Sequence, residues 1–303
     1  MSSSLFDFHE KRIAWAHFLK QIRTFFETQK YTEVSTPLIV PVGAFESTID
    51  TLKVSSASGL AELHSSPEIA MKSILADFPH AIYQICKSFR DDPESPHHAK
   101  EFTMLEFYKP NKTCSYIEKE TLELFQSLSS KPIPTASFSV YELINQLTKI
   151  DLECNQSEDS LMQALKSQTD LHVSKEDSWG DLFFKIMIDI VEPALPKNTF
   201  CLLNNYPAAV SPLSHPIQGS SKAQRFEIYW NQIELCNGCT ELSDEKLLRN
   251  RYLIESKERI AAGKAPHPEP THLFLSGPKI AGVSGVAVGL ERLFFAIECS
   301  QKL

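Results

Sequence analysis

Residues 86–108 read CKSFRDDPESPHHAKEFTMLEFY, and this stretch predicts two strands joined by a polar loop. The first strand, residues 81–89 (AIYQICKSF), mixes β-branched, aromatic and polar side chains, and the second covers residues 101–108. The acidic residues, prolines and histidines between them can neither extend a sheet nor begin a long helix. The stretch therefore predicts a β-hairpin.

The second strand of this hairpin points alternate side chains to opposite faces. One face presents Phe102, Met104, Glu106 and Tyr108, and the other presents Glu101, Thr103, Leu105 and Phe107. A carboxylate at Glu106 between aromatic neighbours is unusual, because burying an unpaired charge is costly. Together with Arg90, the hairpin offers contacts for a phosphate, a flat base and an ammonium group. A solvated edge hairpin accounts for the same pattern, and the hairpin alone does not decide between the two interpretations.

The composition is that of a globular enzyme-sized domain. The chain has 303 residues, 42% hydrophobic and 22% charged, with a formal net charge of -8. This charge argues against broad binding to a phosphate backbone. Seven scattered cysteines, and an N-terminus without an apolar signal core, predict reduced thiols and a cytoplasmic location. The apolar tract at residues 280–297 is broken by Glu291 and Arg292, so no membrane span is predicted.

The order of elements predicts one domain over residues 1–303. An amphipathic helix covers residues 8–28, and an extended segment with Pro37 and Pro41 follows. Residues 65–68 (SSPE) begin a second helix with a serine cap, for which plain helix capping is the alternative to a binding role. Residues 112–195 are predicted to be a helical insertion or flank, whose Ser-x-x-Glu/Asp boxes begin at Ser115, Ser139 and Ser178.

The C-terminal part returns to strands. Residues 226–230 and 233–235 flank a predicted two-residue turn at Asn231 and Gln232, a helix covers residues 243–262, and a last strand and helix meet at Gly289. Cys236 and Cys239 are interpreted as structural cysteines, because neither a second cysteine pair nor a preceding helix supports zinc or redox chemistry. The adjacent histidines 97 and 98 by themselves make a poor metal site.

Three stretches, in order, resemble the motifs of class II aminoacyl-tRNA synthetases. Residues 24–41 (TFFETQKYTEVSTPLIVP) are similar to motif 1, the hairpin with Arg90 and Phe102 to motif 2, and Gly289 with Arg292 to motif 3. The phrases SSPEIAMKSIL, QICKSFRDD, EFTMLEFYKP, RFEIYWNQIELCNGCTELSD and SGVAVGLERL are most similar to the lysine branch, and among its members to shortened paralogues that modify a protein. Ala287 looks like the form found in these protein ligases, where the tRNA ligases usually have glycine.

The resemblance implies an α+β fold with an antiparallel sheet flanked by helices, a homodimer through motif 1, and ATP and Mg²⁺ as cofactors. Arg90 and Arg292 are the implied catalytic residues, with Phe102 and Arg292 on the two faces of adenine. The implied ATP contacts are Arg90, Asp91, Asp92, His98, Ala99, Phe102, Glu234, Leu235, Gly289 and Arg292. The implied Mg²⁺ ligands are Glu234 and Glu241. The implied amino-acid pocket is formed by Ser66, Pro67, Glu68, Glu106, Tyr108 and Glu241, for whose carboxylates ordinary ion pairing is the alternative.

By the same resemblance, the protein activates lysine or (R)-β-lysine as an adenylate and transfers it to a lysine of elongation factor P. The family's lysyl-tRNA synthetases carry an anticodon-binding barrel before motif 1, for which this sequence leaves no room, so tRNA is not the expected acceptor. The motif 2 loop departs from the family pattern, since Ala99 replaces an asparagine and the loop arginine is missing, although His98 is kept. A ligase with another acceptor, such as tRNA or a small amine, and a regulatory paralogue remain open alternatives.

Overall fold

The computed structural model describes residues 9–56, 59–93 and 99–300. Its first helix, α1 (His9–Thr28), confirms the predicted amphipathic helix. Phe18, Ile22 and Phe26 follow one another at four-residue spacing and are buried in the main core. The first helix of the chain therefore contributes three residues to the main core.

Eleven strands make two sheets in the described part of the chain. They are β1 (Thr32–Glu33), β2 (Ile39–Val40), β3 (Lys53–Ser56), β4 (Gly59–Leu63), β5 (Ile82–Phe89), β6 (Glu101–Pro110), β7 (Thr135–Ser139), β8 (Phe200–Asn204), β9 (Arg225–Trp230), β10 (Ile233–Thr240) and β11 (Val283–Gly289). The large sheet has the order β1-β5-β6-β11-β10-β9-β8-β7, and the small one β2-β4-β3. All central pairs of the large sheet are antiparallel, as predicted. Only its two edge strands, β1 and β7, run parallel to their neighbours.

Nine further α-helices follow in the described part of the chain. They are α2 (Glu68–Asp77), α3 (Cys114–Ser127), α4 (Val140–Thr148), α5 (Glu158–Gln168), α6 (Trp179–Ile186), α7 (Glu192–Ala194), α8 (Glu245–Ala261), α9 (Thr271–Ser276) and α10 (Leu290–Ser300), with a π-helical stretch at Met187–Val191. The main core lies between one face of the sheet and α1, α3 and α10. The opposite face of the central strands is polar and carries most of the predicted site.

The middle region, residues 112–195, packs on the same large sheet as the rest of the chain. Helix α3 packs on the main core, and β7 pairs with β8 at the edge of the large sheet. Helices α4 to α6 bury a second core against the far end of the same sheet. The capping box at Ser178 is confirmed, whereas α3 is capped by Thr113, two residues before the predicted Ser115. Residues 135–139 were missed as a strand because they are short and follow two prolines.

The hairpin of β9 and β10 has the predicted turn. Asn231 and Gln232 both have positive φ angles, 47° and 70°, as a two-residue hairpin turn of this type requires. A bulge follows at once, between Glu234 and Cys236. Because a bulge adds one residue, it keeps Glu234 on the polar face while Cys236 turns into the main core. The turn and the bulge together set the direction of the Glu234 side chain.

Candidate active site

Strand β6 presents its predicted polar face to the open side of the sheet. Leu105 and Phe107 are buried in the main core, so Phe102, Glu106 and Tyr108 must point the other way. On neighbouring strands, Glu106 lies opposite Gln84 of β5 and Ala287 of β11. The alternation read from the sequence is therefore confirmed.

Glu106 is a buried carboxyl group with one oxygen unused. Its side chain is 2% exposed, the Tyr108 hydroxyl donates a hydrogen bond to Oε1, and Oε2 has no hydrogen-bond partner among the residues that the structure describes. Burial raises the pKa of Glu106 well above the usual range, and the neighbouring Glu68 raises it further. A buried carboxyl oxygen without a donor is suited to receive an ammonium group from a ligand.

Glycine at position 285 makes room for the Tyr108 ring. A Cβ atom added there would lie 2.2 Å from Cδ1 of Tyr108, closer than any real contact. Gly285 and Tyr108 face each other across β11 and β6, so the absent side chain lets the tyrosine lie flat on the sheet. The tyrosine hydroxyl is held beside Glu106 by this packing.

The start of α2 supplies the second carboxylate. The expected serine cap is weak, because Pro67 occupies the cap position and Ser66 Oγ accepts only a long bond, 3.4 Å, from the Glu68 amide. Glu68 forms an ion pair with Lys72 one turn later on the same helix, at 2.5 Å. Pro67 is buried and Ser66 is partly buried. The predicted residues of this segment thus line the same polar face as Glu106.

Lys72 is a site residue that the sequence reasoning missed. Its side chain is 2% exposed, and its ammonium group pairs with Glu241 as well as with Glu68. Burial raises the pKa of Glu241 to about 7, against the lowering effect of this ammonium group. The only signal in the sequence was the four-residue spacing of Glu68 and Lys72, which is common on exposed helices.

The other end of β6 forms a cationic and aromatic corner. The Arg90 guanidinium lies 5.4 Å from the centroid of the Phe102 ring, and Arg90 Nε is buried without a hydrogen-bond partner in the described structure. Next to them, Asp91 is engaged by Lys100 at 2.6 Å, while Asp92 is partly buried and Ala99 is exposed. The unused Arg90 donor could bind a phosphate group, and the Phe102 ring beside it could stack on a flat base. The two side chains together therefore suit a nucleotide.

The strand-to-helix junction at Gly289 completes this corner. Arg292 Nη1 donates to the backbone oxygen of Glu234 at 2.9 Å, and the Glu291 carboxylate accepts from the amide of Thr103, the neighbour of Phe102. Both bonds hold the start of α10 against β6 and β10. A Cβ atom at Gly289 would lie 3.7 Å or more from the nearest protein atoms, so packing within the protein does not require a glycine there. Leu235 is buried next to Glu234.

The implied Mg²⁺ ligands Glu234 and Glu241 lie in different surroundings. Glu234 lies within β10, whereas Glu241 follows the last residue of that strand, Thr240, and is paired with Lys72. Glu227, on the adjacent strand β9, lies near Glu234. Burial, then Glu227, raises the pKa of Glu234 to about 7, while Arg292 lowers it.

Mg²⁺ prefers one or two carboxylates together with phosphate oxygens. Across the described residues, no group of three or more histidine, cysteine, aspartate or glutamate side chains could bind a metal ion. Glu227 pairs with Arg225 and accepts from the hydroxyls of Tyr206 and Tyr229, so an ion that Glu234 and a nucleotide help to bind would share Glu227 with these groups. Glu227 was missed because, read locally, its RFEIYW context predicts only a buried strand.

The structure brings most of the predicted residues together. Along β6, the aromatic corner at Phe102 and the carboxylate pocket at Glu106 lie on one face, two side-chain positions apart. Glu46 is a further carboxylate near Glu68 and Arg90, and burial, then Glu68, raises its pKa to about 7. His98 lies outside the described residues.

Comparison with known proteins identifies the family of the chain. The family model of class II tRNA synthetases of the D, K and N type matches residues 8–302. The chain belongs to this family. A curated relative from Aquifex aeolicus, named elongation factor P–(R)-β-lysine ligase homolog, is 30% identical over 285 residues and covers 93% of each chain.

Two relatives named elongation factor P–(R)-β-lysine ligase are equally similar. The protein from Erwinia tasmaniensis is 31% identical, with 92% of this chain and 88% of the relative aligned. The protein from Haemophilus influenzae strain KW20 is 29% identical, with 97% and 92% aligned. No helix within residues 9–56, 59–93 or 99–300 is long and apolar enough to cross a membrane.

Proposed function

We propose that the protein is an ATP-dependent ligase that activates lysine or (R)-β-lysine and transfers it to a lysine side chain of elongation factor P. The observation that carries this proposal is the buried Glu106 carboxyl group with its unused oxygen, on the same strand face as Phe102. A pocket of carboxylates selects an amino acid with an additional ammonium group. The choice of elongation factor P as the acceptor and of (R)-β-lysine as a substrate isomer is based on the names of the relatives.

In the first step, a substrate carboxylate oxygen attacks the α-phosphorus of ATP. A new oxygen–phosphorus bond forms, the bond to the β-phosphate oxygen breaks, and pyrophosphate leaves. Arg90 neutralises the charge on the α-phosphate, and Phe102 and Arg292 hold adenine between them, so catalysis is mainly positioning and charge stabilisation. When bound, Mg²⁺ neutralises phosphate charge, and Glu227 and Glu234 would hold it.

In the second step, an uncharged lysine ε-amine of the acceptor attacks the acyl carbon of the adenylate. An amide bond forms, AMP leaves with the electrons of the acyl–oxygen bond, and the amine loses a proton. Elongation factor P as the acceptor, a homodimer and a cytoplasmic location are parts of the proposal. Leu38 and Ile39, in the segment resembling motif 1, are 40% and 55% exposed. These apolar side chains would be buried between the two subunits of the proposed dimer.

Amino-acid-dependent exchange of pyrophosphate into ATP tests the first step. We expect exchange with lysine or (R)-β-lysine and none with norleucine, which has the same length but one ammonium group fewer. Intact-mass analysis of elongation factor P then tests the second step, with tRNA and small amines as competing acceptors. A folded protein without exchange on any diamino acid contradicts the proposal and supports a regulatory role, and label on tRNA alone contradicts the acceptor.

The raised pKa of Glu106 predicts that substrate binding releases a proton. An ammonium group binds the carboxylate form, so the affinity for lysine increases as the pH rises toward the pKa of Glu106, by up to about tenfold per pH unit. Titration calorimetry in buffers of different ionisation enthalpy measures the released proton. The Glu106→Gln variant is the control, and equal proton release by both proteins would contradict this assignment.

The altered motif 2 loop predicts that restoring asparagine at position 99 strengthens ATP binding. Ala99 is exposed beside the Arg90 corner, and the family resemblance implies an asparagine contact with ATP at this position. We expect Ala99→Asn to lower the KM for ATP about three- to tenfold, the contribution of one hydrogen bond. Ala99→Ser is a matched polar control. An unchanged KM for ATP in exchange assays shows that this departure is harmless.

A further inference from the structure

Gln84, on the strand next to Glu106, is a second buried side chain with an unused oxygen. It is 3% exposed, and its Nε2 atom donates a hydrogen bond of 3.0 Å to the hydroxyl of Thr36. Its Oε1 atom has no hydrogen-bond partner among the residues that the structure describes. Buried amide oxygens normally accept a hydrogen bond, because an unpaired one destabilises the folded state. The amide oxygen of Gln84 is therefore available to a ligand.

The strand register places this oxygen beside the Glu106 carboxyl group. Gln84 and Glu106 are direct partners in the antiparallel pair of β5 and β6, so their side chains leave the same face of the sheet. Their chain neighbours Tyr83 and Leu105 lie in the main core, so this shared face is the polar one. The bond to Thr36, which follows β1 on the other side of β5, uses the amide nitrogen and leaves the oxygen for the pocket.

Two acceptor oxygens on one face suit a ligand group with several N–H donors. A primary ammonium group has three such donors and no acceptor. Its nitrogen can donate to two oxygens up to about 5.6 Å apart, which is twice the usual length of about 2.8 Å for these bonds. Directly opposite side chains start about 5 Å apart and meet this condition. A methylated ammonium group keeps the charge but loses one donor with each methyl group.

We propose that Gln84 is a specificity-determining residue that accepts a hydrogen bond from the terminal ammonium group of the substrate. Glu106 supplies the negative charge, and Gln84 supplies a neutral acceptor that favours a primary ammonium group over a methylated one. The inference rests on the proposed function, because it assumes that the terminal ammonium group of lysine or β-lysine lies at Glu106. Gln84 contacts the end of the substrate away from the reacting carboxylate, so it contributes to binding rather than to the chemical step.

Gln84→Met tests this role, because methionine has a similar length but no amide oxygen. We expect the KM for lysine in exchange assays to rise about tenfold or more, as for the loss of one hydrogen bond to a charged group. The KM for ATP should stay within about threefold. Gln84→Glu keeps an acceptor oxygen, and the Thr36 hydroxyl can donate to its carboxyl group. This variant should have a KM for lysine at least about threefold below that of Gln84→Met.

A methylated substrate separates ligand binding from a structural role. Nε,Nε-dimethyllysine has a single N–H donor, which the Glu106 carboxylate takes, so its binding should not depend on Gln84. We expect its inhibition constant against lysine to change by less than about threefold in Gln84→Met, while the KM for lysine rises. An equal loss for both compounds contradicts the proposal. If dimethyllysine binds to neither protein, the KM values of Gln84→Met and Thr36→Val decide.

Two further variants complete the design. Thr36→Val removes the bond to Gln84 Nε2 and should raise the KM for lysine by less than about threefold. Gln126→Met removes a partly buried glutamine on α3 whose amide group is bonded to the backbone of Ile133, and it should leave lysine binding unchanged. If Gln84→Met does not fold, Gln84→Asn withdraws the oxygen by one methylene and asks the same question.

The outcomes for Gln84 and for the proposed function are distinct. A KM for lysine in Gln84→Met within about threefold of the unmodified protein overturns the role of Gln84. A rise that Thr36→Val matches also overturns it, because Gln84 would then act only by holding the segment at Thr36. Absence of exchange in the unmodified protein would contradict the proposed function itself, whereas normal exchange with either of these results contradicts only the role of Gln84.

Discussion

Replacing Glu106 with glutamine is expected to raise the KM for lysine by about 100-fold or more, with a much smaller change in kcat. The substitution keeps the shape of the side chain, but a glutamine cannot lose a proton and become negatively charged when an ammonium group binds at the unused Oε2 position. A buried ammonium group that loses its charged partner forfeits about 2–5 kcal/mol. Exchange kinetics at varied lysine and saturating ATP measure the effect.

Glu120→Gln is the matched control for this experiment. Glu120 is also buried, accepts from the hydroxyl of Tyr31 and pairs with Lys109, but it lies on α3, on the other side of the sheet. We expect an unchanged KM for lysine. A KM for lysine in Glu106→Gln within about threefold of the unmodified protein would remove Glu106 from the pocket.

Replacing Arg90 with lysine is expected to lower kcat for pyrophosphate exchange by about 100- to 1,000-fold. Lysine keeps the charge but offers neither a planar group beside the Phe102 ring nor the paired donors that phosphate oxygens accept. Because the charge on the α-phosphate is greatest in the transition state, the loss should be larger in kcat than in the KM for ATP. Steady-state exchange at varied ATP separates the two.

Arg249→Lys is the control for Arg90→Lys, because it alters an arginine–aromatic contact outside the proposed site. Arg249 lies 4.5 Å from the Phe274 ring and pairs with Glu245, far along the chain from the motif residues. We expect exchange activity to be unchanged and thermal stability to fall by about 1 kcal/mol or less. A similar loss of kcat in both variants would indicate a structural effect and would contradict the role of Arg90 at the phosphate.

Local patterns predicted much of this molecule because they depend on neighbours in the chain. The alternation along residues 101–108 placed Glu106 on the polar face, and a two-residue turn at Asn231 and Gln232 is confirmed by their backbone angles. Helix α1 follows from its apolar spacing alone. By contrast, β7 was missed, since a five-residue edge strand gains its stability from β8 rather than from its own sequence.

The sequence by itself determined the order of the motifs, the faces of their strands and the family, because these are properties of residues close together in the chain. Only the tertiary structure decided which charged groups lie together: Lys72 pairs with Glu241, and the Glu227 carboxylate lies near that of Glu234. A strand extends about 3.3 Å per residue, so two glutamates that look like a pair in the sequence can lie at opposite ends of a site. Charge pairing depends on distance in space, and that distance becomes defined when the sheet assembles.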